Sequence, residues 1–299
     1  MRIPRVSATA RAMTVVVEAV PGELLTRTVL VVPGSLPARV PPFWKSFIPN
    51  RPPAETFSSG CFPAPEDYNK AMDTARRYLG FDIETASTTK DDWRSQRPLG
   101  ISCAATLLAD SREPILWHGG DRLSQDEAAA LVRYLEDQVA QGVTLLTWNG
   151  LGFDLDILAE EAQMLPQCRA LALAHVDMMF HAFCQLGHGV GLDAAAKGMG
   201  LAGKTEGMSG ELAPVLWAEG RREEVLRYVA QDVRTTMELA RVCEGSGALR
   251  WIARSGKVRC MALREGWLTV SDALEMPMPD TSWMDEPWPR EKFTGWTEG

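Results

Sequence analysis

The chain has no apolar run approaching the roughly 20 residues that a membrane-spanning helix requires, so no helical membrane anchor is expected. The stretch MRIPRVSATARAMTVVVEAV carries Arg2, Arg5 and Arg11 before a short apolar run, but Glu18 interrupts that run and no small-residue cleavage site follows. A removable targeting signal is therefore not expected either. Cysteine is sparse: Cys61, Cys103, Cys168, Cys184, Cys243 and Cys260 stand far apart with no CxxC pair. This excludes a zinc ribbon and a dense disulfide framework, and it fits a reducing, cytoplasmic setting. Basic charge is short too, with 31 Lys and Arg against 39 Asp and Glu and a formal net charge of −8. A protein that coats nucleic acid through a broad basic surface is excluded, whereas one that grips a single strand end is not. No internal repeat of roughly 20 to 50 residues is visible.

The 299 residues, 45% hydrophobic and 23% charged, are enough for one sizeable core plus extensions, and the composition excludes a wholly disordered chain. Nine of the 19 prolines fall between Pro33 and Pro65, where the lost backbone donors forbid helix or central strand. Before them, MTVVVEAV and TRTVLVV are β-rich and read as a hairpin. Residues 1–75 thus form an N-terminal extension without chemical signal. From Tyr78 on, YLGFDIET, PLGISCAATLLA and PILWHG read as a three-stranded meander. A helix capped by Ser124 and Glu127 follows, then a short strand VTLLTWN, a helix over about 153–164, and a strand near LALAHVDMM. A small helix from Asp193 and a long one over 221–243 complete an α/β layer. The segment ALRWIARSGKVRCMAL reads as a hairpin turning at Ser255-Gly256, and the proline-bearing tail packs on the surface or stays loose, so 246–299 is a C-terminal extension.

Three acidic clusters stand in order along this layer. Residues two apart on a strand face the same way, so Asp82 and Glu84 of FDIET project together while Phe81 and Ile83 pack on the other side. A lone D-x-E is more often an exposed strand edge. Asp154 opens the helix after WNGLGF, where the helix dipole alone favours an acid; the strand before it is the added signal, because open α/β sheets place their chemistry at strand carboxyl ends. Asp232 shares a helical stripe with Val225, Val229, Thr236, Leu239 and Cys243, which aims a carboxylate into the core. There it needs a cation, hydrogen bonds or a proton, and a salt bridge to arginine is the ordinary solution. Tyr228 lies one turn before it on nearly the same face. Carboxylates gathered this closely repel one another and call for divalent cations.

FDIET, WNGLGFDLDIL and YVAQD together resemble the three exonuclease motifs of the DEDD superfamily in its tyrosine-containing subclass. They are most similar to the proofreading exonuclease domain of family B DNA polymerases and to stand-alone bacterial relatives. Each motif is weak alone, but their order and spacings of 72 and 78 residues make the set specific. The resemblance covers about residues 77–245, VGLDAAAKGMGLAGKT included, and implies a ribonuclease H-like fold over 76–245: an α/β domain with a mixed central sheet, meander plus parallel strands, flanked by helices. It further implies that Asp82, Glu84, Asp154 and Asp232 hold two Mg²⁺ or Mn²⁺ ions and that Tyr228 positions the attacking water. Asn149, Phe153 and Lys204 match positions that meet the substrate. The implied reaction is two-metal hydrolysis at the 3′ end of single-stranded DNA, or RNA, with DNA preferred.

Two rivals stand beside this reading. One is an exoribonuclease similar to ribonuclease D, which shares the acids and the tyrosine. The other is a catalytically idle nucleic-acid-binding or scaffold module that recruits a protein partner through its ends. His175, His181 and His188 are too irregularly spaced for a zinc site, and Gly187, Gly189 and Gly191 lack the strand and acidic partner of a dinucleotide fingerprint. Lys197, Arg221, Arg222, Arg227 and Arg234 are candidate guides for phosphate.

Overall fold

The computed structural model describes residues 13–16, 26–29, 76–88, 93–203 and 207–298. Contacts divide the chain into Met1–Gly60 and Cys61–Gly299. In the first unit, strand β1 (Met13–Val16) pairs antiparallel with β2 (Thr26–Val29), as the β-rich composition suggested. The proline-rich segment and Lys204 lie outside the described residues.

Among its described residues the second unit opens with the meander β3 (Tyr78–Thr85), β4 (Ile101–Leu108) and β5 (Ile115–His118). Next come α1 (Gln125–Ala140), β6 (Thr144–Thr147), α2 (Asp154–Ala162), α3 (Leu165–Ala174), β7 (Val176–Asp177) and α4 (Met178–Leu186). Then follow α5 (Leu192–Gly198), α6 (Ala213–Ala218), α7 (Arg222–Ser246), the hairpin β8 (Ala248–Ile252) and β9 (Val258–Ala262), α8 (Val270–Leu274) and α9 (Glu291–Thr294). The central sheet has the order β5-β4-β3-β6-β7. β3 is antiparallel to β4 and β4 to β5, whereas β6 runs parallel to β3 and β7 to β6. This is the mixed sheet expected from the sequence.

Period-two alternation sorts the two faces of the sheet. Leu79, Phe81 and Ile83 of β3 join Leu131, Val132 and Leu135 of α1 and Leu155 and Leu158 of α2 in the largest buried cluster. On the opposite face Cys103, Ala105 and Leu107 of β4 pack with Val225, Val229 and Val233 of α7. Ser124 and Glu127 close a reciprocal capping box at the start of α1, as expected from their spacing. No helix among the described residues is long and apolar enough to cross a membrane.

The strand expected near LALAHVDMM is confined to Val176 and Asp177, and the residues before it form α3. The alternation of Leu171 with Leu173 suggests period two, but Ala, Leu and Arg favour helix and Pro166 sits in the first turn, where its missing donor is harmless. The C-terminal tail does not stay loose: Phe293 is buried, and α9 packs against the domain.

His181 of α4 is buried against the edge of Trp267, with ring centroids 5.5 Å apart, and its Nδ1 accepts the Leu268 N–H at 3.2 Å. Burial lowers its pKa to about 4. The unfolded chain takes up this proton near pH ~6.5 while the folded chain does not, so stability drains as pH falls from there toward 4, by on the order of 3 kcal/mol. His175, also lowered by burial, adds with the same sign. In denaturant titrations between pH 7 and 4, His181→Gln is expected to flatten this slope; an unchanged slope would disprove the assignment.

Candidate active site

Asp82 and Glu84 lie at the carboxyl end of β3, opposite Ala105 and Cys103 of β4, and a register shift follows at Glu84/Thr85. With Gly80 they occupy the face that α7 covers. A Cβ on Gly80 would stand 2.8 Å from Met237 Cγ and 2.9 Å from Val233 Cγ2, so the missing side chain lets α7 press directly on the strand that carries the acids. Met237 is unbranched and only half-buried, but β-branched Val233 is stiff and buried. Gly80→Ala is therefore expected to destabilise the fold by about 1–3 kcal/mol and to move α7 off the acids. Denaturant unfolding and a nuclease assay read the two effects, and wild-type values in both would show that the close approach is dispensable.

α7 brings Tyr228 and Asp232, one turn apart and both buried, onto this face. Burial pushes the Tyr228 hydroxyl far above its ordinary range, and the charges of Asp232, Glu84 and Asp82 push it the same way, together with a hydrogen bond to Asp232. Tyr228 is thus a fixed donor surrounded by carboxylates and never a base at neutral pH.

Asp154 is the first residue of α2. Its Oδ1 accepts the Ile83 N–H at 3.0 Å, which ties the helix start to β3 between the two strand acids. Its carboxyl group also faces that of Asp82, an approach of two acceptors that a proton on one of them or a cation between them must bridge. Burial raises the Asp154 pKa well above the carboxylate range, against the pull of the Ile83 amide, and the charge of Asp177 adds to the rise. Asp154 is thus coupled to Asp82, and Tyr228 to Asp232, with the charges of Glu84 and Asp82 acting on the same hydroxyl.

The loop leading to Asp154 is held by a residue that the sequence reading passed over. Asp177, buried at the end of β7, accepts the Asn149 N–H at 2.9 Å and the Phe180 N–H at 3.0 Å on Oδ1, and the Leu151 N–H at 2.9 Å on Oδ2. Beside it the His175 Nδ1 donates to the Ala172 carbonyl at 2.6 Å, which leaves Nε2 to accept from the Thr147 hydroxyl at 3.0 Å. Thr147 Oγ1 in turn accepts the Gly150 N–H at 3.1 Å. The only sequence signal for Asp177 was its place at a strand end. Asn149 takes a left-handed φ of 73°, which asparagine tolerates, so its position is fixed by the turn it makes. Phe153 meets Trp93 edge-on at 5.2 Å.

Most of the expected phosphate guides are engaged elsewhere. Lys197 pairs with Asp193, Arg221 with Glu224, Arg222 with Asp121 and Arg234 with Glu113. Arg227 lines a cavity of ≈ 290 Å³ beside Tyr228, together with the Arg221–Glu224 pair, Met208, Leu212 and Leu216.

The donor set at the site is all carboxylate oxygen, which suits hard divalent cations of the magnesium type and not zinc. Among the described residues no three His, Cys, Asp or Glu side chains form a ready-made metal cluster, so the acids meet in contact pairs and not in a preassembled cage.

No curated protein matches the chain. Among solved structures, the family B DNA polymerase from the hyperthermophilic archaeon Pyrobaculum calidifontis is similar over 57% of this chain, at 19% identity and a TM-score of 0.44. The matched region spans 25% of that polymerase chain. The model of the RNase_H superfamily matches residues 80–243, more than half of the chain. That range runs from the glycine under α7 to the last buried turn of α7 and contains Asp82, Glu84, Asp154, Tyr228 and Asp232. With the mixed five-stranded sheet described above, this shows that the chain belongs to the RNase_H superfamily.

Proposed function

We propose that the protein is a metal-dependent 3′–5′ exonuclease acting on single-stranded nucleic acid, with DNA preferred. The observation that carries this reading is the placement of the acids: Asp154 accepts the Ile83 N–H between Asp82 and Glu84 of β3, and α7, pressed on Gly80 of the same strand, carries the buried Tyr228 and Asp232. In it Asp82, Glu84, Asp154 and Asp232 hold two Mg²⁺ or Mn²⁺ ions. Bound there, the ions supply an activated water and charge stabilisation for the departing 3′ oxygen.

The chain's own residues do the rest. Tyr228, its hydroxyl hydrogen donated to Asp232, presents its oxygen to accept a hydrogen bond from the attacking water and so orients it. Asp232 beside it keeps the hydroxyl from swinging away. Asn149 and Phe153 flank the terminal nucleotide from the loop that Asp177 holds, and Lys204 meets a phosphate. Burial of Tyr228 and Asp232 strengthens their interaction because little water competes. The preference for DNA rests on the likeness of the three motifs to those of family B polymerases.

The test is a time course on 5′-labelled single-stranded DNA and RNA of matched sequence, with Mn²⁺ or with chelator. A ladder that shortens stepwise from the 3′ end, faster on DNA and absent with chelator, is expected. Internal cuts overturn the exonuclease assignment, faster decay of RNA moves the substrate to that of a ribonuclease D-like enzyme, and no cleavage leaves the binding-module rival.

A further inference from the structure

The C-terminal segment is built against the loop that leads into the acidic site. The Trp296 indole donates to the Leu151 carbonyl at 2.7 Å, and Phe293 packs on Phe180 and Phe183 with ring centroids 5.6 and 4.7 Å away. A Cβ on Gly152 would stand 2.8 Å from the Phe293 ring, so Gly152 is the seat of that aromatic. Arg94, from the turn after β3, donates to the Gly152 carbonyl at 3.4 Å and to the Lys292 carbonyl at 2.9 Å, stitching loop and tail together.

Two indole and cation pairs flank this seam. Lys292 Nζ lies 3.4 Å from the ring centre of Trp288, which is 45% exposed, and the Arg94 guanidinium lies 4.5 Å above Trp93. Trp93 in turn touches Phe153, the residue before Asp154. None of the ion pairs among the described residues engages Arg94 or Lys292. Arg97, also near Trp93, differs: it is committed to Asp156 at 2.8 Å and Glu160 at 2.7 Å.

We infer that Trp288 and Lys292 of the C-terminal segment, with Trp93 and Arg94, form a wall that binds single-stranded nucleic acid on the 5′ side of the nucleotide being removed. This rests on the nuclease reading above and names its substrate path. A single strand offers base faces that stack on indole rings and phosphates that pair with cations, and the wall supplies both in alternation. Its seam is with Leu151 and Gly152, in the loop that leads into Asp154. In a chain of net charge −8, two cations placed here give the strand a local landing point.

The test measures binding of 5′-fluorescein dT12 by anisotropy in chelator, and hydrolysis of the dinucleotide pdTdT with Mn²⁺, for the full chain, Trp288→Ala and Lys292→Glu. Each variant is expected to raise the Kd for dT12 by about tenfold or more, while turnover of the dinucleotide, too short to reach the wall, stays at the wild-type value. Lys292→Glu covers the case in which Trp288→Ala loosens α9, because the lysine is exposed and its head lies over the Trp288 ring. A wild-type Kd for Lys292→Glu overturns the wall. An equal loss for dT12 and dinucleotide also overturns it, since the segment would then act only by bracing the loop. Failure of the wild-type chain to hydrolyse any strand would instead sink the nuclease reading, and the anisotropy result stands apart from it.

Discussion

Replacing Asp82, Asp154 or Asp232 by Asn is expected to lower metal-dependent strand hydrolysis by about a thousandfold, the scale of several kcal/mol of transition-state charge stabilisation. The fold should survive. Asn keeps the size of Asp, and at position 154 its amide oxygen can still accept the Ile83 N–H that ties α2 to β3. Removing one charge also relieves repulsion in a buried set where Asp154 is already pushed up by burial and by Asp177. Each variant should therefore unfold at the same denaturant concentration as the wild type or a higher one, the trade of stability against activity expected at a functional site. If activity and stability fell together, the carboxylates would be structural and the hydrolysis secondary to folding. If activity were retained with stability intact, the chemistry would lie elsewhere.

Asp177→Ala should give the opposite pattern. Its two oxygens satisfy three backbone N–H groups, of Asn149, Leu151 and Phe180, all in or beside the loop that aims Asp154. Truncation leaves buried donors without acceptors, at a cost on the order of 3 kcal/mol or more. It also frees the loop, so hydrolysis is expected to fall along with stability. Asp177→Asn keeps one acceptor oxygen and turns an NH₂ toward donors, which places it between the wild type and Ala on both axes. Denaturant titration and steady-state hydrolysis of the three proteins check this. A stable, fully active Asp177→Ala would show that the loop holds itself.

Local rules carried much of this molecule. The alternation in FDIET sorted Phe81 and Ile83 from Asp82 and Glu84, and the sheet keeps them on opposite faces. The stripe around Asp232 marked a buried helix face, and α7 is such a helix. The hairpin at Ser255-Gly256 and the capping box at Ser124 followed from turn and cap chemistry. What stayed hidden depends on contacts between residues remote in sequence. Asp177 reaches back 26 and 28 residues to the loop, and nothing in its neighbours announces that. Trp296 meets Leu151 across 145 residues, so a tail rich in proline read as an ornament of the surface. The end of α3, from Leu171 to Ala174, reads as strand in the sequence because two leucines at spacing two carry no information on how their alanine neighbours pack. The cations beside α7 looked available until the structure paired Arg221, Arg222 and Arg234 with acids of their own.

The most direct test of the site is a calorimetric titration of the full chain with Mn²⁺ in the absence of nucleic acid or in the presence of a short single strand. Two ions per chain are expected with the strand bound, and Asp154→Asn and Asp232→Asn should each lose at least one. A wild-type chain that takes up no Mn²⁺ with or without a strand, or variants that bind as many ions as tightly, would contradict the assignment of these carboxylates.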